Sequence, residues 1–440
     1  MRVIYDISRL GECYDQPSSR SGLVRVIENI AFGLAASPDC EVSFTAQSFS
    51  AASDCIDYLK DHSQLSDIPF LSTSSAKRWK KLNKRLRDIN SQVDGPAFSD
   101  LLSQPKFSSG FLKGLKLQQR AERRLLSFAS RAVERSSPID SRWLDQAEIY
   151  HSPFHPLPRQ ATNIVRFLTI YDLIPIIHPE FCVPSQVDFL QSILHSIGPD
   201  DWLFSISEKT KSDLCNYLSI DPARVVVTYL AAAPDIFYPC EDPESIAKVR
   251  SEYQIPDGPY ILSLNTLEPR KNIGHLIRSF AKLVQEQNLK DLNLVLVGAH
   301  GWLYDRIFET ISAFDSLRDR IIVTGYVADE HLAALYSHAL AFVFPALYEG
   351  FGLPPLEAMQ CGTPVITSNT SSLPEVIGDA GIGVDPIDED ALCQSMFDVY
   401  RDADLRAEMA RKSIARAREF SWEKCTREII GAYRQALDRA

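Results

Sequence analysis

Two glutamates, Glu349 and Glu357, bracket seven uncharged residues in the stretch YEGFGLPPLEAM at 348–359. Ionised carboxylates accept hydrogen bonds, so this pair could hold the hydroxyl groups of a ligand or face a developing positive charge. The glycines at 350 and 352 would let the backbone come close to that ligand. The alternative is that Glu349 is solvated and Glu357 only stabilises the start of a helix.

The residues around this pair predict a strand, a loop and a helix in that order. AFVFPA at 341–346 is typical of a buried strand, and the adjacent Pro354 and Pro355 suit the first turn of a helix. Glu349 is then expected in the loop and Glu357 in the first helical turn. The free amides of such a helix start suit a phosphate group.

A second group of charges, Arg270 and Lys271, occurs in the stretch LNTLEPRKNIGHL at 264–276. A predicted strand precedes the two cations and a predicted helix follows them, which puts both at the carboxyl end of the strand. Arginine presents a planar fork to phosphate oxygens and lysine a point charge. Together they could neutralise a diphosphate. The alternative is a solvated basic pair at the end of a loop.

The bulk composition restricts the classes of protein that can carry these motifs. The 440 residues suit two or three domains of about 100–200 residues each. A formal net charge of −11 argues against a general nucleic-acid binder. The nine cysteines are scattered without a C-x-x-C pair, which favours reduced thiols in a cytoplasmic protein. Neither a signal peptide nor a transmembrane run is expected.

Short apolar runs alternate with helical segments in both halves of the chain. This pattern predicts an α/β protein with two doubly wound parallel-sheet domains and a cleft between them. We place the N-terminal domain at 1–238 and the C-terminal domain at 239–420, divided by a segment rich in Pro, Asp and Glu. A last helix at 421–440 is expected to pack back on the N-terminal domain. Ligands of such sheets bind beyond the carboxyl ends of the strands.

A Ser-rich, charged segment at about 51–145 differs from the rest and is interpreted as an insertion. Its stretches at 77–87 and 115–135 are strongly basic, and the second is typical of an amphipathic helix. The segment could lie on an anionic membrane surface. It could also line a site for an acidic acceptor, or form a solvated face around an acceptor cleft.

The motifs occur in the order found in retaining family-4 glycosyltransferases, which this sequence resembles. EGFGLPPLE matches their E-x7-E motif, EPRKN matches their diphosphate-binding segment, and CGTPVITSNTSSLPEVIGDAGIGVDPID continues the match. VTGYV at 323–327 resembles their segment beside the nucleobase. RSGLVRVIENIAFGL and YDLIPIIHPEF resemble their glycine loop and middle motif. The resemblance covers the C-terminal half nearly end to end, the N-terminal half in patches, and 51–145 not at all.

The resemblance implies a GT-B fold, with two Rossmann-like domains facing across a cleft, and transfer of a sugar from a nucleotide-diphosphate donor. Arg270 and Lys271 would hold the diphosphate, Glu349 would lie near the donor sugar, and Glu357 would accept hydrogen bonds from the ribose. The implied catalytic residues are Glu349, Arg270, Lys271, Asp172 and Tyr171. The implied donor-binding residues are Gly22, Thr266, Tyr326, Val327, Gly350, Phe351, Gly352, Leu353 and Glu357.

The segment YDLIPIIHPEF most resembles that of bacterial mannosyltransferases of polysaccharide assembly. This resemblance implies a GDP-sugar such as GDP-mannose as donor, with a UDP-sugar as the alternative. The implied acceptor is a glycan, a lipid-linked molecule or a protein, met in the cytoplasm or at the inner face of the membrane through 77–135. No metal and no cofactor are expected, since DED at 388–390 and DAD at 402–404 are explained as helix N-caps. A sugar-nucleotide hydrolase or epimerase and a non-catalytic sugar-nucleotide-binding protein stay open as alternatives.

One position departs from the family pattern. Tyr171-Asp172 stands where related sequences commonly have His-Asp, and a tyrosine cannot act as a base near neutral pH. Either the contacts to the donor sugar differ, or the role has moved to another histidine. His178, His151 and His155 are the nearby candidates.

Overall fold

A computed structural model gives the fold, and it describes residues 1–14, 22–73, 81, 85, 126, 139–298 and 305–440. Contacts divide the chain into two units, Met1–Leu168 with Tyr433–Ala440, and Thr169–Ala432. The predicted division at 238–239 and the predicted bounds of the insertion remain predictions. In the described ranges, no helix is both long and apolar enough to cross a membrane.

The first sheet has seven parallel strands in the order β3-β2-β1-β4-β5-β6-β7. Val3 in the interior strand β1 pairs with Val42 on one side and Ile149 on the other, and all three side chains are buried, as is typical of a parallel sheet. Its strands are β1 (Arg2–Asp6), β2 (Glu41–Thr45), β3 (Phe70–Leu71), β4 (Ile149–Ser152), β5 (Val165–Ile170), β6 (Trp202–Ser205) and β7 (Val225–Val227).

The second sheet has six parallel strands in the order β10-β9-β8-β11-β12-β13. Ile261 pairs with both Leu294 and Ala341, which places β8 in the middle of this sheet. Its strands are β8 (Tyr260–Leu264), β9 (Asn293–Val297), β10 (Ile321–Gly325), β11 (Ala341–Phe344), β12 (Val365–Ser368) and β13 (Ile382–Val384). The prediction of two parallel α/β sheets is confirmed.

Helices connect the strands, as crossovers between parallel strands require. The α-helices of the described residues are α1 (Ser8–Glu12), α2 (Gly22–Ala36), α3 (Phe49–Asp61), α4 (Ser141–Leu144), α5 (Ile174–Ile177), α6 (Pro184–Leu194), α7 (Glu208–Tyr217), α8 (Pro243–Glu252), α9 (Ile273–Glu286), α10 (Asp305–Ser312), α11 (Asp329–Ser337), α12 (Leu353–Gln360), α13 (Leu373–Ile377), α14 (Glu389–Arg401), α15 (Ala403–Ala417) and α16 (Trp422–Leu437). Short 3₁₀ helices occur at Pro179–Phe181, Pro222–Arg224, Pro269–Lys271 and Asp315–Arg320.

The core of the second sheet explains why α9 forms where it does. Leu276, Ile277, Phe280 and Leu283 recur at helical spacing and are fully buried in the cluster around β8 and β9. Burying side chains of this size contributes about 1.5–3 kcal/mol each. The helix is therefore held to the sheet, and its first residue follows directly on the segment that carries Arg270 and Lys271.

Two strands, β3 and β13, were not predicted from the sequence. β3 has two residues and β13 contains Gly383, so neither shows the apolar run that marks the other strands. Helix α3 and strand β3 lie within the segment interpreted as an insertion or at its edge, and β3 pairs with β2. Residues 81, 85 and 126 are helical, and the rest of the basic stretches at 77–87 and 115–135 lies outside the described residues.

Candidate functional site

A buried ion cluster joins the two charged motifs. The Nζ atom of Lys271 lies 2.6 Å from Oε1 of Glu349, and a guanidinium nitrogen of Arg270 lies 2.8 Å from Oε2. The three side chains are only 11–14% exposed. One carboxylate therefore serves as counterion to two cations that are nearly removed from water.

The cluster lies where β8 and β11 end. Both cations occupy the 3₁₀ helix Pro269–Lys271, between β8 and α9. Asn272 then takes a left-handed conformation with φ of 59°, which asparagine tolerates. Its side-chain amide donates to the carbonyl oxygens of Pro345 and Pro386, at 3.2 and 2.7 Å. The cation segment is thus tied to the loop after β11, which carries Glu349.

Arg270 is fixed by further contacts of its two terminal nitrogen atoms, one of which is the nitrogen beside Glu349. It donates to the backbone carbonyl of Tyr348 at 2.6 Å and to Oε1 of Glu268 at 2.8 Å. The Nζ atom of Lys271 lies 5.0 Å from the centre of the Phe344 ring. Hydrogen bonds between charged groups are the strong ones, so both cations have defined positions before any ligand arrives.

The ionisation of the cluster follows from burial and its opposite charges. Burial alone would raise the pKa of Glu349, but the neighbouring Arg270 and Lys271 outweigh it and lower the pKa below its usual range. Burial and the charge of Arg270 lower the pKa of Lys271, while Glu349 opposes this. Glu349 is therefore ionised at neutral pH, which keeps the two cations electrostatically compensated.

Asp172 belongs to the same electrostatic environment. Its Oδ1 accepts a hydrogen bond from the backbone N–H of Ile174 at 2.9 Å. Burial raises the pKa of Asp172, and the charge of Arg270 acts against this rise while that of Glu349 adds to it. A raised pKa makes the carboxylate of Asp172 a stronger base than that of a surface aspartate, and such perturbed groups are candidates for a functional role.

The neighbouring Tyr171 faces different surroundings. Burial strongly raises the pKa of its hydroxyl, with a further contribution from Cys425. Within the described part of the chain, this hydroxyl has no hydrogen-bond partner and no bond to the ion cluster. The predicted catalytic role of Tyr171 stays a prediction.

Three successive amides at the start of α12, those of Phe351, Gly352 and Leu353, point to no acceptor in the described part of the chain. The next two residues of the helix are prolines, which carry no N–H, so these three amides are the donors that the helix start offers. Gly352 has φ of 127°, a conformation that favours glycine.

The structure corrects the predicted position of Glu357. It is the fifth residue of α12, so it lies in the second turn, and the first turn holds no acidic residue. The side chain is 6% exposed, and its Oε2 accepts a hydrogen bond from the Tyr336 hydroxyl at 3.1 Å. The prediction placed Glu357 one turn too early because it counted the helix from the prolines.

The structure shows a second reason for glycine at position 350, besides the predicted close approach to a ligand. A Cβ atom at this position would lie 2.3 Å from the carbonyl oxygen of Tyr171 and 2.9 Å from Cβ of Asp172. The missing side chain makes room for the protein's own backbone. Gly350 therefore fixes the distance between the segment of Asp172 and the loop of Glu349.

The remaining predicted donor-binding residues lie at strand ends or at the start of a helix. Thr266 is exposed after β8, Tyr326 is 56% exposed after β10, and the adjacent Val327 is buried. Gly22 is the first residue of α2, next to residues 15–21, which lie outside the described ranges. Their roles in binding a donor stay predictions.

Comparison with known proteins decides the family. The model of the family described as Glycosyl transferases group 1 matches residues 245–416. The relative "O-antigen chain mannosyltransferase B" of Escherichia coli is 36% identical over 287 residues, which make up 65% of this chain and 74% of that protein. The chain belongs to the group 1 glycosyltransferases.

Solved structures are similar in fold. A glycosyltransferase from Rickettsia africae ESF-5 matches with a TM-score of 0.65 at 18% identity, over 100% of this chain and 99% of that one. Anabaena Alr3699/HepE in complex with UDP-glucose matches with a TM-score of 0.63 at 14% identity, over 100% of both. The predicted GT-B fold and the glycosyltransferase activity are confirmed. The hydrolase, epimerase and non-catalytic alternatives are not favoured.

The three candidate histidines of this glycosyltransferase have different surroundings. His151 is fully buried, bonds the Tyr433 hydroxyl at 2.6 Å, and burial lowers its pKa to about 3, so it is a neutral core residue. His155 lies 3.1 Å from Glu12. The ring centre of His178 lies 4.9 Å from that of Tyr348, the residue before Glu349.

The two acidic clusters of the glycosyltransferase act as helix caps, as the sequence predicted. The side chain of Asp388 accepts a hydrogen bond from the N–H of Ala391 at the start of α14. That of Asp402 accepts one from Leu405 at the start of α15. Side-chain caps of this kind stabilise a helix by about 1 kcal/mol.

Sequence reasoning missed the residues that hold the Glu349 loop in place. The N–H of Glu349 donates to Oγ of Ser371 at 3.0 Å, and the Ser372 hydroxyl lies within hydrogen-bond distance of the carbonyls of Glu349 and Phe351, at 2.9 and 2.7 Å. Glu268, which bonds Arg270, was also missed. Both serines lie in the quoted stretch SNTSSLPE, but no spacing in the sequence points from them to Glu349.

Proposed function

We propose that this glycosyltransferase moves a mannosyl or related hexosyl group from a GDP-sugar to a glycan acceptor, with retention of the anomeric configuration and without a metal ion. Two observations carry the proposal: the buried pair Arg270 and Lys271, and the three amides at the start of α12 that have no acceptor among the described residues. The pair supplies two positive charges and the amides supply three donors. This is the arrangement that a departing nucleoside diphosphate needs.

Stabilisation of the leaving group is the main chemical task of the proposed site. When the bond between sugar and diphosphate breaks, negative charge grows on the phosphate oxygens. Cations that are already fixed and poorly hydrated stabilise that charge strongly, because no reorganisation is needed at the moment of reaction. Glu349 keeps both cations in place and would face the hydroxyl groups of the donor sugar.

The identity of the sugar and base rests on the relatives. The similar protein from Escherichia coli is named a mannosyltransferase of an O-antigen chain, and the chain covers 74% of its length. This supports mannose as the sugar and a growing polysaccharide as the acceptor. A UDP-sugar is the alternative, since the similar Anabaena structure holds UDP-glucose. We place the reaction in the cytoplasm, with peripheral contact to the inner face of the membrane.

A thermal-shift experiment with GDP, UDP and ADP tests the donor most directly. A ligand at a hundredfold excess over its Kd stabilises the folded protein by about 2.7 kcal/mol, so the correct base should stand out. Lys271→Ala is the matched variant: it should lose the shift caused by GDP and keep that caused by guanosine. An equal shift with all three nucleotides, or no effect of the variant, would contradict the site.

The stereochemical proposal needs a separate measurement. GDP-mannose and p-nitrophenyl α-D-mannopyranoside serve as probes for donor and acceptor, and proton NMR reads the first product before it can equilibrate. An α-linked product supports retention, and a β-linked product overturns it. Release of GDP without any acceptor would instead indicate a hydrolase.

A further inference from the structure

Helix α7 has an unusual cap. Its N-cap residue Ser207 accepts a hydrogen bond from the N–H of Thr210 at 3.0 Å. The two preceding amides, of Glu208 and Lys209, both donate to the carboxylate of Glu375 at 2.8 Å. A carboxylate at a helix N-terminus meets both free donors and the positive end of the helix dipole. Glu375 lies 166 residues after Lys209 in the chain, so this cap joins two distant segments.

A third donor completes the surroundings of Glu375. The hydroxyl of Tyr229 donates to Oε2 at 3.2 Å. The backbone carbonyl of Glu375 accepts a hydrogen bond from Arg416 at 2.6 Å. The carboxylate and the main chain of this residue are therefore fixed at once, which a simple surface cap does not require.

The capped end of α7 contacts both segments of the proposed site. The Ser207 hydroxyl lies 2.7 Å from the carbonyl of Gly350 and can donate to it. The Thr210 hydroxyl lies 3.2 Å from that carbonyl and 3.2 Å from the carbonyl of Tyr171. One helical turn thus holds the backbone beside Glu349 and the backbone beside Asp172.

The segment of Glu375 holds the same loop from its other side. Ser371 and Ser372, in the turn before α13, bond the backbone of Glu349. Ser371 has φ of 54°, a left-handed conformation that costs a non-glycine residue energy and persists only where the surroundings enforce it. The turn from Ser371 to Glu375 therefore contacts the Glu349 loop directly at one end and through α7 at the other.

We propose that Glu375 is a positioning residue of the transferase centre: by capping α7 it fixes the distance between the Asp172 segment and the Glu349 loop. Its contribution to catalysis rests on the proposed function of Glu349, whereas its contribution to the position of the loop does not. Glu375 touches neither motif side chain in this arrangement and acts through Ser207 and Thr210.

The test compares Glu375→Gln with Asp388→Asn in the full chain. Both variants replace the carboxylate of a helix cap, but the side chain of Asp388 hydrogen-bonds the start of α14 and, among the described residues, neither the Glu349 loop nor the Asp172 segment. Hydrogen–deuterium exchange is measured on peptides covering 347–350 and 171–176. We expect faster exchange of both peptides in Glu375→Gln only. Unchanged exchange in that variant, or equal acceleration in Asp388→Asn, would overturn the proposal.

The second measurement is of turnover. With GDP-mannose and p-nitrophenyl α-D-mannopyranoside, Glu375→Gln should lower kcat by about tenfold or more, as expected when catalytic groups shift by a fraction of an ångström. Asp388→Asn should keep kcat even if it lowers the Tm. A Glu375→Gln enzyme with the kcat of Asp388→Asn contradicts a role in catalysis.

Two cases need a further measurement: a Glu375→Gln variant that does not fold, and a wild type that shows no turnover. If Glu375→Gln does not fold, Thr210→Val removes the bonds to Gly350 and Tyr171 and leaves the carboxylate cap intact, and the same peptides are measured. If the wild type turns over no donor, the proposed function fails, while the exchange of 347–350 still decides whether Glu375 positions the loop.

Discussion

Replacing Gly350 by alanine tests how closely the two halves of the site are fitted. The new Cβ would lie 2.3 Å from the carbonyl oxygen of Tyr171, and real Cβ atoms essentially never come within 3.0 Å of another atom. The atom in the way belongs to the backbone, so it cannot rotate aside as a side chain could. The two segments must therefore separate by at least 0.7 Å.

This separation has a cost in stability and a cost in turnover. Forcing an extra carbon into a packed interior destabilises a protein by about 1–3 kcal/mol. Misplacement by about 1 Å of groups that act in a reaction can lower the rate about 10²-fold. We expect Gly350→Ala to reduce the free energy of unfolding by about 1–3 kcal/mol and kcat by about 10–100-fold, because Asp172 and Glu349 move apart.

Gly431→Ala is the matched control, since a Cβ there meets nothing within 4 Å. Gly431 lies inside α16, so alanine should raise the free energy of unfolding by about 0.5–1 kcal/mol and leave kcat unchanged. Urea unfolding and initial rates of GDP release from GDP-mannose measure the two quantities. If Gly350→Ala keeps the wild-type kcat, the close fit of the two segments has no role in the reaction.

Four further predictions concern the charges. Lys271→Ala should lower kcat by about 10²–10³-fold in the same assay, the scale for losing one charge-stabilising group. Glu349→Gln should lower kcat but tighten GDP binding by about fivefold in calorimetry, the effect of about 1 kcal/mol, because the cations lose a competing carboxylate. EDTA should leave the rate unchanged; a loss restored by Mg²⁺ would contradict a metal-free site. Burial lowers the pKa of His151 from its ordinary value of 6.5 to about 3, so between these pH values the side chain takes up a proton only when the protein unfolds. This proton uptake lowers the free energy of unfolding as the pH falls. From neutral pH to pH 5, the loss measured by urea unfolding should therefore be about 2 kcal/mol larger in the wild type than in His151→Gln.

The parts of the site that could be predicted from the sequence are those set by neighbours in the chain. An apolar run before EPRKN and another before YEGFG place both motifs at strand ends, and β8 and β11 end where the pattern indicates. Pro354 and Pro355 mark the first turn of α12, which begins one residue earlier at Leu353, and Gly362, with φ of 78°, follows its end. Local rules of helix and strand formation are sufficient for these elements.

The parts that could not be predicted depend on contacts between distant segments. Nothing near Gly350 in the sequence indicates that Tyr171 packs against it, and nothing near Glu375 indicates that it caps α7. Strands β3 and β13 form because a neighbouring strand offers them hydrogen bonds, not because they are strongly apolar. Such features follow from the assembled sheet and leave no pattern in a single sequence.

The charge balance of the cluster explains how two cations can be buried side by side. Arg270 and Lys271 are offset by Glu349 and Glu268, and the raised pKa of Asp172 moves this third carboxyl group towards its neutral form. Burying such charges is tolerable only when they compensate one another. A diphosphate would add negative charge to a balanced group, so its binding must weaken the hold of Glu349 on the cations. Glu349 therefore compensates the two cations and also competes with the leaving group that the site is proposed to stabilise.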